Sequence, residues 1–215
     1  MQRNAERSLP AEPGGPAGAS AALVLPGEPV PVRLINTIWA DRSGVHDALT
    51  TTGDLQAWLA ATHPGLDQPE PGPGDLDGFR ALRDALRRLA ALVTGDTRTA
   101  AASATSRIGQ AVAEVNRVAA QAHTWPQLAY QGGHLYTTVG GGASPGRRAL
   151  SSVAQHAVGL LTGQDGITLQ ACYAPGCVLY FVRDHPRRQW CSAACGNRVR
   201  AARHYQRHRD QPSAG

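Results

Sequence analysis

The sequence predicts a mainly α fold with minor β content, an N-terminal helical domain followed by a small C-terminal module. Three observations carry this. Apolar residues recur at helical spacing in four stretches between about 52 and 163. Glycine- and proline-rich turns bracket only short β-favouring runs. All four cysteines of the 215 residues fall between positions 172 and 195, beyond the last of the long helical stretches.

Residues 1–27 are rich in Pro, Gly, Ala and Ser without periodicity, and a disordered leader is expected there. The run "PVRLINTIWADRSG" is apolar, broken by Asn36 and ended by Asp41 and Gly44; helix and strand fit it equally. "TTGDLQAWLAATHPG" predicts a helix with a Thr or Asp cap, Leu55, Trp58 and Leu59 on one face, and Pro64-Gly65 as its stop. Beyond the loop "LDQPEPGPGD", Asp75 is expected to cap a helix. Its stripe is Leu76, Phe79, Leu82, Leu86, Leu89 and Val93, with Arg80, Arg83, Asp84, Arg87 and Arg88 on the exposed side.

A third helix is expected from about 99 to 123, with Ile108, Ala111, Val112, Val115, Ala119 and Ala122 at helical spacing. "QGGHLYTTVGGG" has a strand-like middle, 135–139, between glycine turns. Ser144 and Pro145 supply the cap and first residue of a fourth helix that buries Leu150, Val153, Ala157, Val158 and Leu161 and ends at Gly163. The helical domain is therefore expected over 28–165, with sensing or dimerisation as its open roles. Trp39, Trp58, Trp125 and Tyr136 fill its core or line an effector pocket, the core being the commoner use.

All 21 basic residues are arginine, and the formal net charge is +5. Residues 172–215 hold eight of these arginines against Asp184 and Asp210, so a basic tail follows a nearly neutral body. That asymmetry suits a tail that meets a polyanion. No stretch is long and apolar enough to span a bilayer, and "AGASAALVLPGEP" lacks the pattern of a signal peptide, so a cytoplasmic location is expected. Enzyme chemistry is not expected. The glycine-rich "QGGHLYTTVGGGASPGRR" has no Gly-Lys-Ser/Thr, and no Gly-x-Ser-x-Gly occurs. Asp75 and Asp77 read as caps, and His46, His63, His123, His134 and His156 form no triad legible in sequence.

The cysteines are spaced Cys172-x4-Cys177-x13-Cys191-x3-Cys195. Two close pairs on a short connector are the donor arrangement of a tetrahedral zinc, and a reducing compartment favours metal over disulfides. Two disulfides or four idle thiols are the alternatives. Four thiolates leave no open coordination position, so the expected cofactor is one structural Zn2+. Pro175 and Gly176 suit the turn between the first two ligands, "VLYFV" reads as a strand, Pro186 as a turn, and "RQWC" as a returning second strand. A helix follows Cys191. The module, 170–209, is thus a zinc-binding ββα-like (treble-clef-like) unit in which metal replaces a missing core, with a disordered tail at 210–215.

On a helical wheel Arg200, Arg203 and Arg207 share one stripe with His204 beside them, while Val199, Ala202 and Gln206 lie on the side of Cys195. Arg198 points elsewhere, towards Tyr205 and Arg209. Arg198, Arg200, Arg203, His204 and Arg207 are the candidate nucleic-acid contacts, because guanidiniums neutralise phosphates and fork onto guanine. His204 and His208 are an i, i+4 pair that suits metal or, on so basic a helix, phosphate or solvent. Gly196, Asn197 and Trp190 read as structural parts of the module. Double-stranded DNA is the expected partner, with RNA or an acidic protein as alternatives.

"RRQWCSAACGNRVRAARHYQR" resembles the CGNR zinc finger family, spelled here by Cys195, Gly196, Asn197 and Arg198. Phe181, Asp184, Trp190, Cys191 and Ser192 match the rest of its pattern; Gln189 stands where the family has Arg. Upstream, "VRLINTIWADRSG" and "DLQAWLA" resemble the ABATE-type N-terminal domain of the same family. The resemblance implies a DNA-binding transcription regulator of a stress-induced type, with the helical body sensing a small-molecule or protein effector or forming a homodimer. A zinc-stabilised module that binds an acidic protein, and a thiol redox switch, are the competing readings.

Overall fold

The computed structural model of the chain describes residues 25, 27–63, 70–123, 125–164 and 166–209. The expected leader, apart from Leu25 and Gly27, the Pro64-Gly65 stop and the expected tail lie outside the described residues.

The undecided run after Pro29 becomes helix and strand in turn. Val30–Ile35 form a short helix, α1, with Pro31 setting its first turn. An antiparallel hairpin follows, β1 (Ile38–Asp41) and β2 (Gly44–Asp47). Helix α2 spans Thr52–Thr62. It opens with a reciprocal cap: the Asp54 N–H donates to Thr51 Oγ1 at 3.1 Å, and the Thr51 N–H donates to the Asp54 carboxylate at 2.8 Å.

Helix α3 (Pro73–Thr94) starts after Gly72, and Asp75 serves it from the third position by accepting the Gly72 N–H at 3.0 Å. Gly95, with φ +65°, ends it in a left-handed turn. The expected polar face of α3 is corrected here. Arg83 and Arg87 are buried, whereas Val93, expected inside, is about half exposed. Burial is tolerated because each guanidinium finds acceptors: Arg83 pairs with Asp47 at 2.6 Å, and Arg87 donates to Ile35 O at 2.7 Å and Ala101 O at 3.1 Å.

The third helix, α4, runs only over Ile108–Ala119, later than expected. A 3₁₀ turn (Thr99–Ala101) and a loop precede it. That loop is pinned to α3, with Ser103 Oγ donating to Asp84 O and Arg88 Nε donating to Ser106 O. Its alanines and hydroxyls offer little to bury, so a helix there gains no packing. Val112 on α4 and Val158 on the next helix face solvent, against expectation.

Strands β3 (Trp125–Gln131) and β4 (His134–Gly140) form a second hairpin, of which only β4 was legible. Helix α5 (Pro145–Thr162) has the expected Ser144 cap and Gly163 stop. The third hairpin joins β5 (Leu169–Ala171) to β6 (Tyr180–Val182). "RQWC" is not a strand; the strand that pairs with β6 lies before the first cysteine.

One apolar core ties these together. Val32 and Leu34 of α1, Trp58 of α2, Phe79 and Leu86 of α3, Val115 of α4, and Val153 of α5 pack with Leu169, Tyr180 and Val182 of the last hairpin. The Trp58 ring meets Phe79 edge-on at 5.6 Å. Of the four aromatics expected in the core, only Trp58 is fully buried; Trp39 stacks on His46, and Trp125 and Tyr136 are exposed. Among the described residues, no helix is long and apolar enough to cross a membrane.

Candidate metal centre and its basic helix

Cys172 and Cys177 sit in the loop of the β5–β6 hairpin. The loop closes when the Cys172 N–H donates to Leu179 O and the Cys177 N–H donates to Ala174 O, both at 2.9 Å. Gly176, at φ +71°, takes the left-handed position this turn needs. Cys191 lies two residues before the last helix, α6 (Ala193–Arg209), and Cys195 lies in its first turn. The expected order of knuckle then hairpin is therefore nested: the hairpin carries the knuckle at its tip.

All four cysteines are buried and unoxidised, and their sulfurs lie within 4.8 Å of one another. Cys177 Sγ is 3.8 Å from Cys191 Sγ, which is 3.4 Å from Cys195 Sγ. A tetrahedron of thiolates about 2.3 Å from a zinc has edges of about 3.8 Å. A disulfide needs sulfurs about 2.05 Å apart. The donor set fits zinc and not a pair of disulfides, and the cofactor is one structural zinc ion held by Cys172, Cys177, Cys191 and Cys195.

Close thiols cannot all be protonated or all be ionised without mutual cost. Contacts with Cys172, Cys177 and Cys191, then the Arg198 guanidinium, hold the Cys195 thiol far below its ordinary range. Contacts with Cys177 and then Cys191 bring Cys172 down to about 6. A divalent metal stabilises the remaining thiolates. Around the sulfurs a satellite core of Ala174, Phe181 and Val199, with Trp190 and Leu25 beside it, excludes water.

The three residues after the last ligand have distinct employments. Gly196 lies under the Trp190 ring, where a Cβ would come 3.3 Å from Cδ1. Asn197 accepts a hydrogen bond from Arg200 Nη2. Arg198 Nη2 reaches Cys195 Sγ at 2.8 Å, so this candidate DNA contact is turned towards the metal thiolates instead.

The body grips this centre through residues that sequence reasoning did not single out as site residues. Arg98 Nη1 donates to the carbonyls of two ligand residues, Cys172 O at 2.5 Å and Cys177 O at 2.6 Å. Asp96, its side chain almost wholly buried, pairs with Arg98 at 2.6 Å and accepts the Tyr180 hydroxyl at 2.8 Å. Tyr173 and Tyr180 cover the guanidinium, with ring centroids 4.9 and 5.8 Å from Cζ. Burial pushes the Asp96 carboxyl up, but the bonds from Arg98 and Tyr180 outweigh it and hold the group below its usual range. Burial, then the bond to Asp96, pushes the Tyr180 phenol well up.

Two further side chains act as a surrogate third strand along β6. Asn36 Nδ2 donates to Tyr180 O at 2.8 Å, and Asn36 Oδ1 accepts the Tyr180 N–H at 2.9 Å. Glu28 accepts the Val182 N–H at 2.7 Å and pairs with Arg188 at 2.5 Å. The signal for Asn36 was in the sequence: a polar residue breaking an apolar run must find buried partners.

Helix α6 is packed only at its start. Val199 is buried and Ala202 half-buried, but residues 203–207 are all exposed, Gln206 among them. Arg200, Arg203 and Arg207 follow one face, and among the described residues no carboxylate pairs with any of them. His204 meets Tyr205 edge-on at 6.1 Å. The side chain of His208 lies outside the described residues.

One histidine cluster resembles a relay and is not arranged as one. His46 Nε2 meets both Asp41 Oδ1 at 2.8 Å and Ser43 Oγ at 3.0 Å. A relay needs serine and carboxylate on opposite ring nitrogens, so this is a clamp of the β1–β2 turn.

Two family models match the chain. One, described as "Putative stress-induced transcription regulator" (ABATE), covers residues 28–164, and the CGNR zinc finger covers residues 168–208. No curated protein matches the chain.

Proposed function

The chain belongs to the ABATE family and carries a CGNR zinc finger, and from that premise we propose that it is a transcription regulator that docks on double-stranded DNA through the exposed half of α6. The observation that carries this reading is the contrast along that one helix. Its first turns are fixed by Cys191, Cys195 and Val199, and its remainder leaves the body with Arg200, Arg203 and Arg207 on one exposed face. A helix about 10–12 Å across fits the major groove. A metal-anchored start keeps such a helix ordered before it binds, so little entropy is lost on docking.

In this reading the zinc is structural and orders the helix. Arg200, Arg203 and Arg207 neutralise phosphates or fork onto guanine edges, with His204 beside them. Arg198 is a positioning residue for the metal end. The helical body carries the regulatory input, and the grip of Arg98 on the Cys172 and Cys177 carbonyls is the route by which a change in the body reaches the finger.

The experiment is binding of the zinc-loaded chain to a pool of genomic DNA fragments over a salt series. Three arginine–phosphate contacts predict a log–log slope of about −3. Selective enrichment at physiological salt, lost in Arg200→Ala/Arg203→Ala with zinc content unchanged, is expected. Binding that ignores both substitutions, or none at all, overturns the reading.

A further inference from the structure

The β3–β4 hairpin holds large apolar side chains out in solvent. Leu128, Tyr130 and Leu135 are 70%, 71% and 67% exposed. Strand alternation puts all three on one face, with Tyr130 directly opposite Leu135 and Leu128 opposite Thr137. The other face is partly used by the hairpin itself: Trp125 lies over Gly140, where a Cβ would come 2.5 Å from its Nε1. No Asp, Glu or Arg occurs anywhere from 118 to 146, in a chain that holds 37 such residues. An isolated two-stranded ribbon of this kind is marginal in water and gains stability when further strands join it to widen the sheet and its apolar face.

The edges of the ribbon are unequal. The turn is Gly132-Gly133, with φ +61° and +83°, the left-handed pair of a two-residue hairpin turn. Gln131 and His134 are then a hydrogen-bonded pair, and alternation turns the backbone groups of Leu135 and Thr137 outwards from β4. The matching outward positions of β3 begin with Pro126, which has no N–H to offer. Edges are ordinarily protected by charge, proline or brevity, and β4 has neither charge nor proline.

We propose that this ribbon is a self-association surface, occupied by the β3–β4 ribbon of a second copy of the chain. An uncharged face gains nothing from an acidic or basic partner, and without an arginine it has nothing to set against phosphate. The same ribbon on a second copy matches it in every respect: it is equally uncharged, equally apolar, and has the same open edge. Two β4 strands related by a two-fold axis pair antiparallel, each satisfying the outward groups of the other, and make one four-stranded sheet. The seven-residue strands are about 23 Å long, so the contact falls short of the roughly 800 Å² per partner of a tight dimer. A dimer with a dissociation constant in about the micromolar range follows.

The test is sedimentation equilibrium of the full zinc-loaded chain, without DNA, across the micromolar range. A concentration-dependent dimer is expected for the natural sequence. Leu128→Glu/Leu135→Glu should weaken it at least about tenfold, with far-UV circular dichroism and zinc content unchanged. Thr137→Pro, which removes an outward N–H and no bond within the hairpin, should weaken it as well and stands in if the double variant misfolds. A monomer at every concentration overturns the proposal, as does a dimer equally tight in both variants. A monomer that floats with phosphatidylcholine vesicles also overturns it and assigns the ribbon to a lipid surface.

Discussion

Arg87 is buried and Arg98 half-buried, with their guanidiniums bonded to backbone carbonyls; Arg200, Arg203 and Arg207 lie on the surface, and among the described residues no carboxylate pairs with them. The chemistry of the side chain is the same in both sets. What differs is whether the N–H donors reach backbone carbonyls or lie largely at the surface, where Arg200 donates to Asn197. The buried set welds the helical body to the metal centre, and the exposed set is the polyanion surface. Losses in the two sets should therefore separate stability and zinc affinity from DNA binding.

The largest expected effect breaks both halves together. Because Leu169, Tyr180 and Val182 belong to the main core, removing zinc with a chelator, or Cys195→Ser, should destabilise the helical body along with the finger. Structural zinc contributes on the order of 10 kcal/mol in small fingers. Calorimetry of zinc-loaded and zinc-free protein should show the cooperative unfolding transition falling in temperature, with one equivalent of zinc released. A body transition indifferent to zinc would separate the two halves.

Arg98→Ala comes next. It leaves Asp96 buried without its partner and the Cys172 and Cys177 carbonyls without theirs. Loss of about 3–5 kcal/mol is expected by denaturant unfolding, with zinc affinity reduced about ten- to a hundredfold. Arg98→Lys should rescue little, since one ammonium cannot fork between Asp96 and two carbonyls. The salt slope of DNA binding should not move. If that slope changes as much as stability does, the division between inner and outer arginines is wrong.

The outer set predicts the reverse. Arg200→Ala, Arg203→Ala and Arg207→Ala should each change stability by no more than about 0.5 kcal/mol. Each should reduce the salt slope by about 0.9, read by fluorescence anisotropy over a salt series. Arg198→Ala is the intermediate case, because its guanidinium rests on Cys195 Sγ. It should weaken zinc more than it weakens the salt slope.

The metal centre was the most legible part of the sequence because four cysteines at ligand spacing have few other uses. The caps were nearly as plain: Thr51 with Asp54, Ser144 with Pro145, and Gly163 all act as their positions predict. Arg83 and Arg87 were misplaced because an apolar stripe assigns charged neighbours outward, and only tertiary acceptors such as Asp47 and Ile35 O reverse that. A chain without lysine removes the usual cue, since arginine must serve both as buried clamp and as surface charge. β3 was hidden by Pro126 and by side chains exposed on both faces, which erase the alternation that marks a strand.

The smallest effect is a pH dependence confined to the body. His63 packs near Trp58, and burial, then the charges of His156 and Arg33, push its pKa below the ordinary 6.5. Arg33 beside it is itself pushed down by burial. A folded pKa below the unfolded one means the stabilisation is complete above about pH 6.5 and is lost as pH falls through that value towards the folded one. The loss should be smaller than the other effects, because His63 is only partly buried. His63→Gln should flatten this part of the profile, measured as the difference between the two proteins in urea unfolding at saturating zinc. Subtraction removes the acid sensitivity of the thiolates, which both proteins share. An unchanged profile would mean that the body tolerates a second cation beside Arg33. In that case a cation would need no acceptors of the kind that Arg83 and Arg87 have in order to sit within the body.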